Sequence, residues 1–325
     1  MSKHIFALIL LFFVILGLVA CNNFGSNDVI KIGISQLAEH AALDSAREGF
    51  IEALEEAGYK DGENIKLDFQ NAQGDINNAQ TIARKFADEN MDMILAIATP
   101  AAEAAANVTS DIPILITAVT DPIEAGLTEN LESPTANVTG TTDMNPVKEQ
   151  IELLAELIPT AKNIGILYNA GEINSQVQVD IAKDIVSDMG LNLIEATVSN
   201  TSEVSQATQS LMGRVDAIYV PTDNTIVSSI GAVIKVSNDH NIPVIGSERG
   251  QVDAGAVAVK GIDYKLLGKQ TGEIAVKILK DGKTPKDLPI EDTKDIIFII
   301  NKKAAKDLGV EISAELEAAA DEVIE

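Results

Sequence analysis

Apolar runs alternate with amphipathic stretches along most of the chain. In the first half, short apolar runs predict β-strands over 29–34, 65–69, 93–98, 113–119 and 138–141. Apolar residues at helical spacing predict helices over 41–57 and 75–90, and Thr99-Pro100 opens an Ala-rich helix. This half therefore alternates strand and helix, the order that gives a parallel sheet covered by helices on both faces.

The same alternation begins again near residue 147. Predicted strands follow over 163–168, 191–198, 216–220, 243–246, 256–259 and 296–300. Predicted helices cover 147–157, 175–189, 203–212, 225–238 and 264–280, and a further helix ends the chain. Two such blocks predict an α/β fold of two doubly wound parallel-sheet lobes joined by a hinge. We expect lobe I to comprise 29–141 plus 263–286 and lobe II 142–262 plus 287–325.

The first 20 residues have the features of an export signal peptide. Lys3 precedes an apolar run that is short for a membrane-spanning helix, and Cys21, the only cysteine of the chain, follows it. Leu18-Val19-Ala20-Cys21 resembles the bacterial lipobox, which implies that cleavage leaves Cys21 as an acylated N-terminus, for example with palmitate. The alternative is an ordinary signal peptide or a membrane anchor that contains a cysteine. With a polar linker over 21–28, we expect an extracytoplasmic protein that is lipid-anchored to the cell membrane.

The charge of the chain limits its partners. It has 49 acidic and 24 Lys or Arg residues, a formal net charge of −25. Such acidity disfavours nucleic acid, whose phosphates the protein would repel, and disfavours broad contact with anionic lipid. Tryptophan is absent and aromatic residues make up 4% of the chain, which lowers the rank of a sugar ligand because sugar receptors stack their ligands on aromatic rings.

The motifs of common enzyme and cofactor sites are missing from the sequence. Its three histidines are His4, His40 and His240, and no two of them have metal-ligand spacing. There is no glycine-rich phosphate-binding motif and no Gly-x-Ser-x-Gly nucleophile elbow. We therefore expect no metal, no cofactor and no catalytic residues, although an enzyme built on scattered carboxylates is an open alternative.

Polar residues recur directly after the predicted strands. In open parallel sheets, ligands bind beyond the carboxyl ends of the strands, where helix N-termini offer free N–H groups to an anion. The candidate ligand-binding residues are Ser35, Gln36, Thr99, Pro100, Thr117, Thr120, Asp121, Asn169, Thr222, Asp223 and Asn224. We expect Asp223 to receive an ammonium group, while Ser35, Thr99 and Thr120 help to hold a carboxylate.

Each candidate also has a purely structural interpretation. Thr99 and Asp223 have the residue types of helix N-caps, and Ser35-Gln36 could form only a turn. Tyr264 has the character of a packing residue. Ser247-Glu248 also follows a predicted strand, and we interpret Glu248-Arg249 as a local surface pair. If Asp223 is only a helix cap, Asp121 and Glu248 are the next candidates for the ammonium group.

Several segments together resemble a family of solute-binding lipoproteins that serve ABC transporters, in particular the group with tryptophan- and tyrosine-binding receptors. The resemblance rests on segments that include Ile32-Gly33-Ile34-Ser35-Gln36, Ala98-Thr99-Pro100-Ala101, Thr117-Ala118-Val119-Thr120-Asp121-Pro122, Gly165-Ile166-Leu167-Tyr168-Asn169 and Val220-Pro221-Thr222-Asp223-Asn224. It implies a type I periplasmic-binding-protein fold, lobe closure around the ligand, and delivery to a permease with an ATPase.

These observations predict the lipid-anchored receptor of an ABC importer. Its expected ligand is a small zwitterion, an aromatic or other apolar amino acid. A nucleoside or sugar receptor of the same fold is the alternative among binding proteins, and a hydrolytic enzyme is the alternative from another class. A DNA-binding regulator of this fold conflicts with the signal peptide and the acidity.

Overall fold

The computed structural model describes residues 29–293 and 296–325. The predicted signal peptide 1–20, Cys21 and the predicted linker 21–28 lie outside the described residues. Within the described ranges, no helix has both the length and the apolar character needed to cross a membrane.

Lobe I is built on a six-stranded parallel sheet in the order β11-β5-β4-β3-β1-β2. Its strands are β1 (Ile30–Gln36), β2 (Ile65–Asn71), β3 (Met93–Ile97), β4 (Ile114–Val119), β5 (Val138–Thr142) and β11 (Ile290–Asp292). Every residue of β3, β4 and β5 is buried, as expected of central strands that are covered on both faces.

Lobe II is built on a seven-stranded sheet in the order β13-β12-β10-β9-β8-β6-β7. Its strands are β6 (Asn163–Asn169), β7 (Asn192–Val198), β8 (Ala217–Tyr219), β9 (Val244–Gly246), β10 (Ala258–Ile262), β12 (Ile296–Asn301) and β13 (Glu322–Ile324). The prediction of a wholly parallel second sheet is wrong at one edge, because β12 runs antiparallel to β10. After β10 the chain passes through lobe I and re-enters lobe II from the hinge side, so β12 starts where β10 ends.

Helices cover the faces of both sheets, so the predicted α/β fold of two doubly wound lobes is confirmed. Lobe I has α1 (Ala41–Glu56), α2 (Ile76–Asp88), α3 (Thr99–Ala106) and α10 (Tyr264–Asp281). Lobe II has α4 (Val147–Leu157), α5 (Ile173–Asp188), α6 (Val204–Leu211), α7 (Asn224–Val227), α8 (Ile230–Asp239), α9 (Arg249–Asp253), α11 (Lys302–Asp307) and α12 (Ala314–Ala319).

The third chain crossing lies later than the sequence predicts. Strand β11 pairs in parallel with β5 of the first sheet, with Ile290 beside Gly140. The Thr139 hydroxyl also donates to the carbonyls of Leu288 and Pro289, at 3.0 and 3.1 Å. Residues up to 292 therefore belong with lobe I, and the predicted boundary at 287 is too early.

Helices α1 and α10 pack against each other almost at backbone distance. A methyl group on Gly268 would overlap the carbonyl oxygen of Ala46, and one on Gly49 would overlap that of Lys265. A methyl group on Gly272 would lie 2.6 Å from the Cβ atom of Ala53. This close contact fixes the start of α10, and with it Tyr264, relative to the start of α1.

Candidate functional site

A partly enclosed cavity lies between the lobes, where the carboxyl ends of both sheets face each other. The space between its surrounding atoms, open solvent included, is about 310 Å³. Lobe I lines it with His40, Ala42, Leu43, Ala118 and Thr120. Lobe II lines it with Asn174, Thr222, Asp223, Asn224, Val227 and Glu248. Asp143 and Tyr264, which follow two of the chain crossings, complete the lining.

Two lobe I strands have unusual backbone conformations at or near their carboxyl ends. Ala98, directly after β3, has φ 81° and ψ 151°, and Ala118 in β4 has φ 56°. Non-glycine residues rarely adopt positive φ, and such strain tends to collect at functional sites. The register of β4 against β5 shifts between Ile116 and Val119, at the point where Ala118 lines the cavity.

Several predicted lobe I residues lie outside the cavity lining. Ser35 and Thr99 are buried, and their hydroxyl oxygens have no hydrogen-bond partner within the described residues. Gln36 bonds to Ala38, Asp44 and Arg47. Thr117 accepts a bond from Thr141, and Pro100 is buried in the first turn of α3.

Asp121 does not reach the cavity lining either. Its carboxylate accepts the backbone N–H groups of Ile123 and Glu124, at 2.9 and 3.0 Å. The side chain therefore closes its own turn after β4, which is a common role for an aspartate in that position.

Thr120, Asp143 and Tyr264 form a buried hydrogen-bonded group at the hinge. Asp143 accepts the Thr120 hydroxyl at 3.1 Å and the Tyr264 hydroxyl at 2.6 Å. Burial raises the pKa of Asp143, and it raises the pKa of Tyr264 well above its ordinary value, with the negative charge of Asp143 adding to that rise. Asp143 follows the first crossing and Tyr264 the second, so this group ties the two connections together.

Asp223 lines the cavity, but its oxygens are engaged within lobe II. One carboxylate oxygen caps α7 through the Ile226 N–H at 2.8 Å. The other accepts the Asn169 N–H at 2.6 Å and the Ser175 hydroxyl at 2.7 Å. Burial, followed by the negative charge of Glu172, raises the pKa of Asp223 to about 7. Asn169 thus contacts Asp223 through its backbone and is not among the lining residues.

Thr222, Asn224 and His40 lie where the two lobes touch. His40 Nε2 of lobe I is 3.4 Å from Asn224 Oδ1 of lobe II. Burial lowers the pKa of His40 to about 4, so the ring is neutral near pH 7. Thr222 Oγ1 and His40 Nδ1 are buried without a hydrogen-bond partner in the part of the chain that the structure describes.

Glu248 is a functional candidate that the sequence analysis interprets first as half of a surface pair and only then as a reserve partner for the ammonium group. It is 2% exposed, and its Oε2 atom accepts the Gly250 N–H at 2.8 Å. Its Oε1 atom is buried and has no partner among the described residues. Arg249, its supposed ion-pair partner, instead pairs with Glu322 at 2.6 and 2.9 Å. The signal that could have found Glu248 was its position directly after a strand, which it shares with the predicted candidates.

The cavity lining combines carboxyl groups with the N-terminus of a helix. Asp143, Asp223 and Glu248 supply carboxyl groups, whereas no Lys or Arg is among the lining residues of the described chain. Helix α1 begins beside the cavity, and its N-cap residue His40 makes no side-chain capping bond. Ala42 and Leu43 in the first turn of α1 line the cavity, so the positive end of this helix faces it. In the described ranges, no group of three or more His, Asp or Glu side chains is placed to hold a metal ion.

Comparisons with known proteins give consistent matches over nearly the whole chain. The family model described as ABC transporter substrate binding protein matches residues 31–324. The chain is 50% identical to a tyrosine-binding protein of Clostridioides difficile (strain R20291) over 281 residues, which is 86% of this chain and 81% of the relative.

Two solved structures extend these matches. A domain of an ABC protein from Streptococcus pneumoniae in complex with L-Trp is 37% identical, with a TM-score of 0.88 over 91% of this chain and 99% of the other. A ligand-free, open structure of a substrate-binding protein with adhesive properties from Clostridium difficile is 49% identical, with a TM-score of 0.69 over 91% of this chain and 99% of the other. The open structure has the higher identity and the lower TM-score, so the lobes here are arranged more as in the L-Trp complex.

Proposed function

Because the chain belongs to the ABC transporter substrate binding protein family, we propose that it is the receptor of an ABC importer and captures an aromatic amino acid between its lobes. The relatives named for tyrosine and in complex with L-Trp support this ligand class. Family members of this kind are receptors rather than enzymes, and they deliver their ligand to a permease with an ATPase.

The observation that carries the proposal is the unpartnered Oε1 atom of Glu248, in a cavity that also contains the positive end of α1. An amino acid carries one group that suits Glu248 and one that suits the start of α1. Its ammonium group would pair with Glu248, and its carboxylate would accept the free N–H groups at the start of α1.

The remaining lining suits an apolar side chain with a polar edge. Ala42, Leu43, Ala118 and Val227 are apolar and buried, and they can cover the faces of a ring. Thr222 Oγ1 has no partner within the described chain and can bond to a phenol or an indole N–H.

A calorimetric screen of the twenty amino acids against the purified full chain tests the proposal. We expect tyrosine and tryptophan to bind more tightly than leucine or alanine. In Glu248→Gln, which keeps the shape of the side chain, their affinity should fall at least tenfold. In Glu195→Gln, which removes the same charge from the exposed edge strand β7, affinity should be unchanged. If no aromatic amino acid binds, the proposed ligand class is wrong.

We further propose that the protein is extracytoplasmic and lipid-anchored through Cys21. The support is the lipobox-like Leu18-Val19-Ala20-Cys21 together with the family assignment. In membrane fractionation, Cys21→Ser should release the protein or leave the signal peptide uncut, whereas Ser26→Ala should behave as the unmodified protein. An equally processed and equally membrane-bound Cys21→Ser protein would contradict the anchor.

A further inference from the structure

The charges around the cavity are unequal, and the imbalance favours a cation. Three carboxyl groups line it, and within residues 29–293 and 296–325 no Lys or Arg faces them from the lining. The two arginines on flanking helices are engaged elsewhere. Arg47 bonds to Gln36 and Asp44, and Arg249 pairs with Glu322.

The three carboxyl groups differ in what they can still accept. Asp143 bonds to Thr120 and Tyr264 with one oxygen each, and Asp223 receives three donors from its own lobe. Glu248 keeps one oxygen that is buried, lines the cavity and lacks a donor within the described chain. A ligand ammonium group can supply that donor, and an ionised pair of this kind forms strong hydrogen bonds.

The groups available to a ligand carboxylate interact more weakly than the carboxyl group available to an ammonium group. They are the N-terminus of α1, which carries about half an elementary charge, and the Thr120 hydroxyl, which already donates to Asp143. A ligand that lacks a carboxylate therefore gives up little binding free energy at the start of α1. A ligand that lacks an ammonium group gives up more at Glu248.

We propose that this cavity selects its ligands through their ammonium group, and that it also takes aromatic monoamines that lack a carboxylate. The inference rests on the proposed function only in placing the ligand in this cavity. Tyramine and tryptamine have the chemistry that it requires, because each combines a primary ammonium group with an aromatic ring. The acids 3-(4-hydroxyphenyl)propanoate and 3-(indol-3-yl)propanoate lack the ammonium group and keep the carboxylate.

Titration calorimetry of the purified full chain with both pairs tests the inference, with tyrosine and tryptophan as references. We expect the amines to bind within about tenfold of the matching amino acid, and the deaminated acids to bind at least a hundredfold more weakly. In Glu248→Gln, amine affinity should fall at least tenfold, and Glu195→Gln should leave it unchanged.

The possible outcomes separate this inference from the proposed function. If the amino acids bind and the amines bind more than a hundredfold more weakly, the inference is overturned and the proposed function stands. If the deaminated acids bind as tightly as the amino acids, selection occurs at the carboxylate and the inference is also overturned. If the amines bind and the amino acids do not, the inference stands and the proposed amino-acid ligand is wrong. Should Glu248→Gln bind the amines as tightly as the unmodified chain, Glu248 is not the selecting group.

Discussion

At the scale of single residues, Asp223 and Glu248 show why a strand-end position is not enough to identify a ligand contact. Both follow a strand of lobe II, and both line the cavity. Asp223 is satisfied by donors of its own lobe, whereas Glu248 retains an unpartnered oxygen within the described residues. Sequence indicates that such a carboxylate lies at the rim. The donors that reach it come from residues as distant as Asn169 and Ser175, and no local pattern reveals them.

This difference predicts opposite effects of two charge-removing variants. In Asp223→Asn, the single amide oxygen can keep the α7 cap. The amide NH₂ group then takes the place of the second carboxylate oxygen, so the Asn169 N–H loses its acceptor. We expect the free energy of unfolding to fall by about 1–3 kcal/mol, with less than a threefold change in ligand affinity. Glu248→Gln should show the reverse, at least a tenfold loss of affinity without a loss of stability. Thermal unfolding and calorimetry on both variants check this, and a large affinity loss in Asp223→Asn alone would contradict it.

Ligand binding should release a proton near neutral pH. Burial raises the pKa of Glu248 from its ordinary value of 4.5 to about 7, so below pH 7 the free receptor holds this carboxyl group largely protonated. An ammonium ligand pairs with the ionised form, so its affinity should fall as the pH drops below 7, by up to about tenfold per unit. Calorimetry at pH 6 in buffers of different ionisation enthalpy measures the released proton.

The same pKa sets the sign of a stability effect in the ligand-free protein. A raised folded-state pKa gives a stabilising contribution that is present below the unfolded value of 4.5 and is lost as the pH rises through about 7. Glu248→Gln should therefore gain stability relative to the unmodified chain between these two pH values. It should also release fewer protons on binding, and an unchanged proton release would mean that another group titrates.

At the scale of elements, sequence pattern predicts the elements that are long or fully buried, and it misses some of the short ones. The strands of lobe I and the helices α1, α2 and α10 follow from apolar periodicity because each is long enough to repeat it. The predicted helix over 225–238 is instead two helices, α7 and α8, since Ser228 donates its hydroxyl to the Asn224 carbonyl at 2.7 Å and the chain bends there. Strand β13 has three residues, too few for a pattern.

The close packing of α1 on α10 predicts a strong effect of one added methyl group. In Gly268→Ala the new Cβ atom would overlap the carbonyl oxygen of Ala46, so the helices must separate. We expect a loss of about 1–3 kcal/mol in the free energy of unfolding, measured by denaturant titration. Gly231→Ala in α8 is the matched control, because nothing lies within 4 Å of its added Cβ atom. That variant should gain about 0.5–1 kcal/mol, and equal effects of the two would exclude steric packing as the cause.

At the scale of the whole molecule, the site exists only when the lobes meet. Its lining comes from both lobes and from residues that follow two of the three chain crossings, so no single half of the chain contains it. Sequence identified the rim residues Thr120, Thr222, Asp223 and Asn224. It missed the cavity role of Asp143 and Tyr264, because their placement depends on how the two crossings pack against each other.

Lobe closure can be tested at a contact between the lobes that does not involve the ligand, between Gly250 and Ala41. A Cβ atom added to Gly250 of lobe II would lie 3.2 Å from the Cβ atom of Ala41 of lobe I, so the branched side chain of Gly250→Val should hold the lobes apart. A ligand closes the lobes only by its extra contacts in the closed state, and a steric penalty there opposes it directly. We expect at least tenfold weaker binding and, in small-angle scattering at saturating ligand, a larger radius of gyration than for the unmodified chain.

Two further variants separate closure from a direct effect on the ligand, because the added Cβ atom of Gly250 would also lie 3.1 Å from Glu248 Oε1. Ala41→Leu adds bulk to the same contact from lobe I. At saturating ligand it should also give a larger radius of gyration than the unmodified chain. Glu248→Gln lacks the ligand charge contact and leaves the lobe contact intact, so at saturating ligand it should contract as the unmodified chain does. If Gly250→Val and Ala41→Leu contract fully while binding weakly, the Ala41–Gly250 contact does not limit closure.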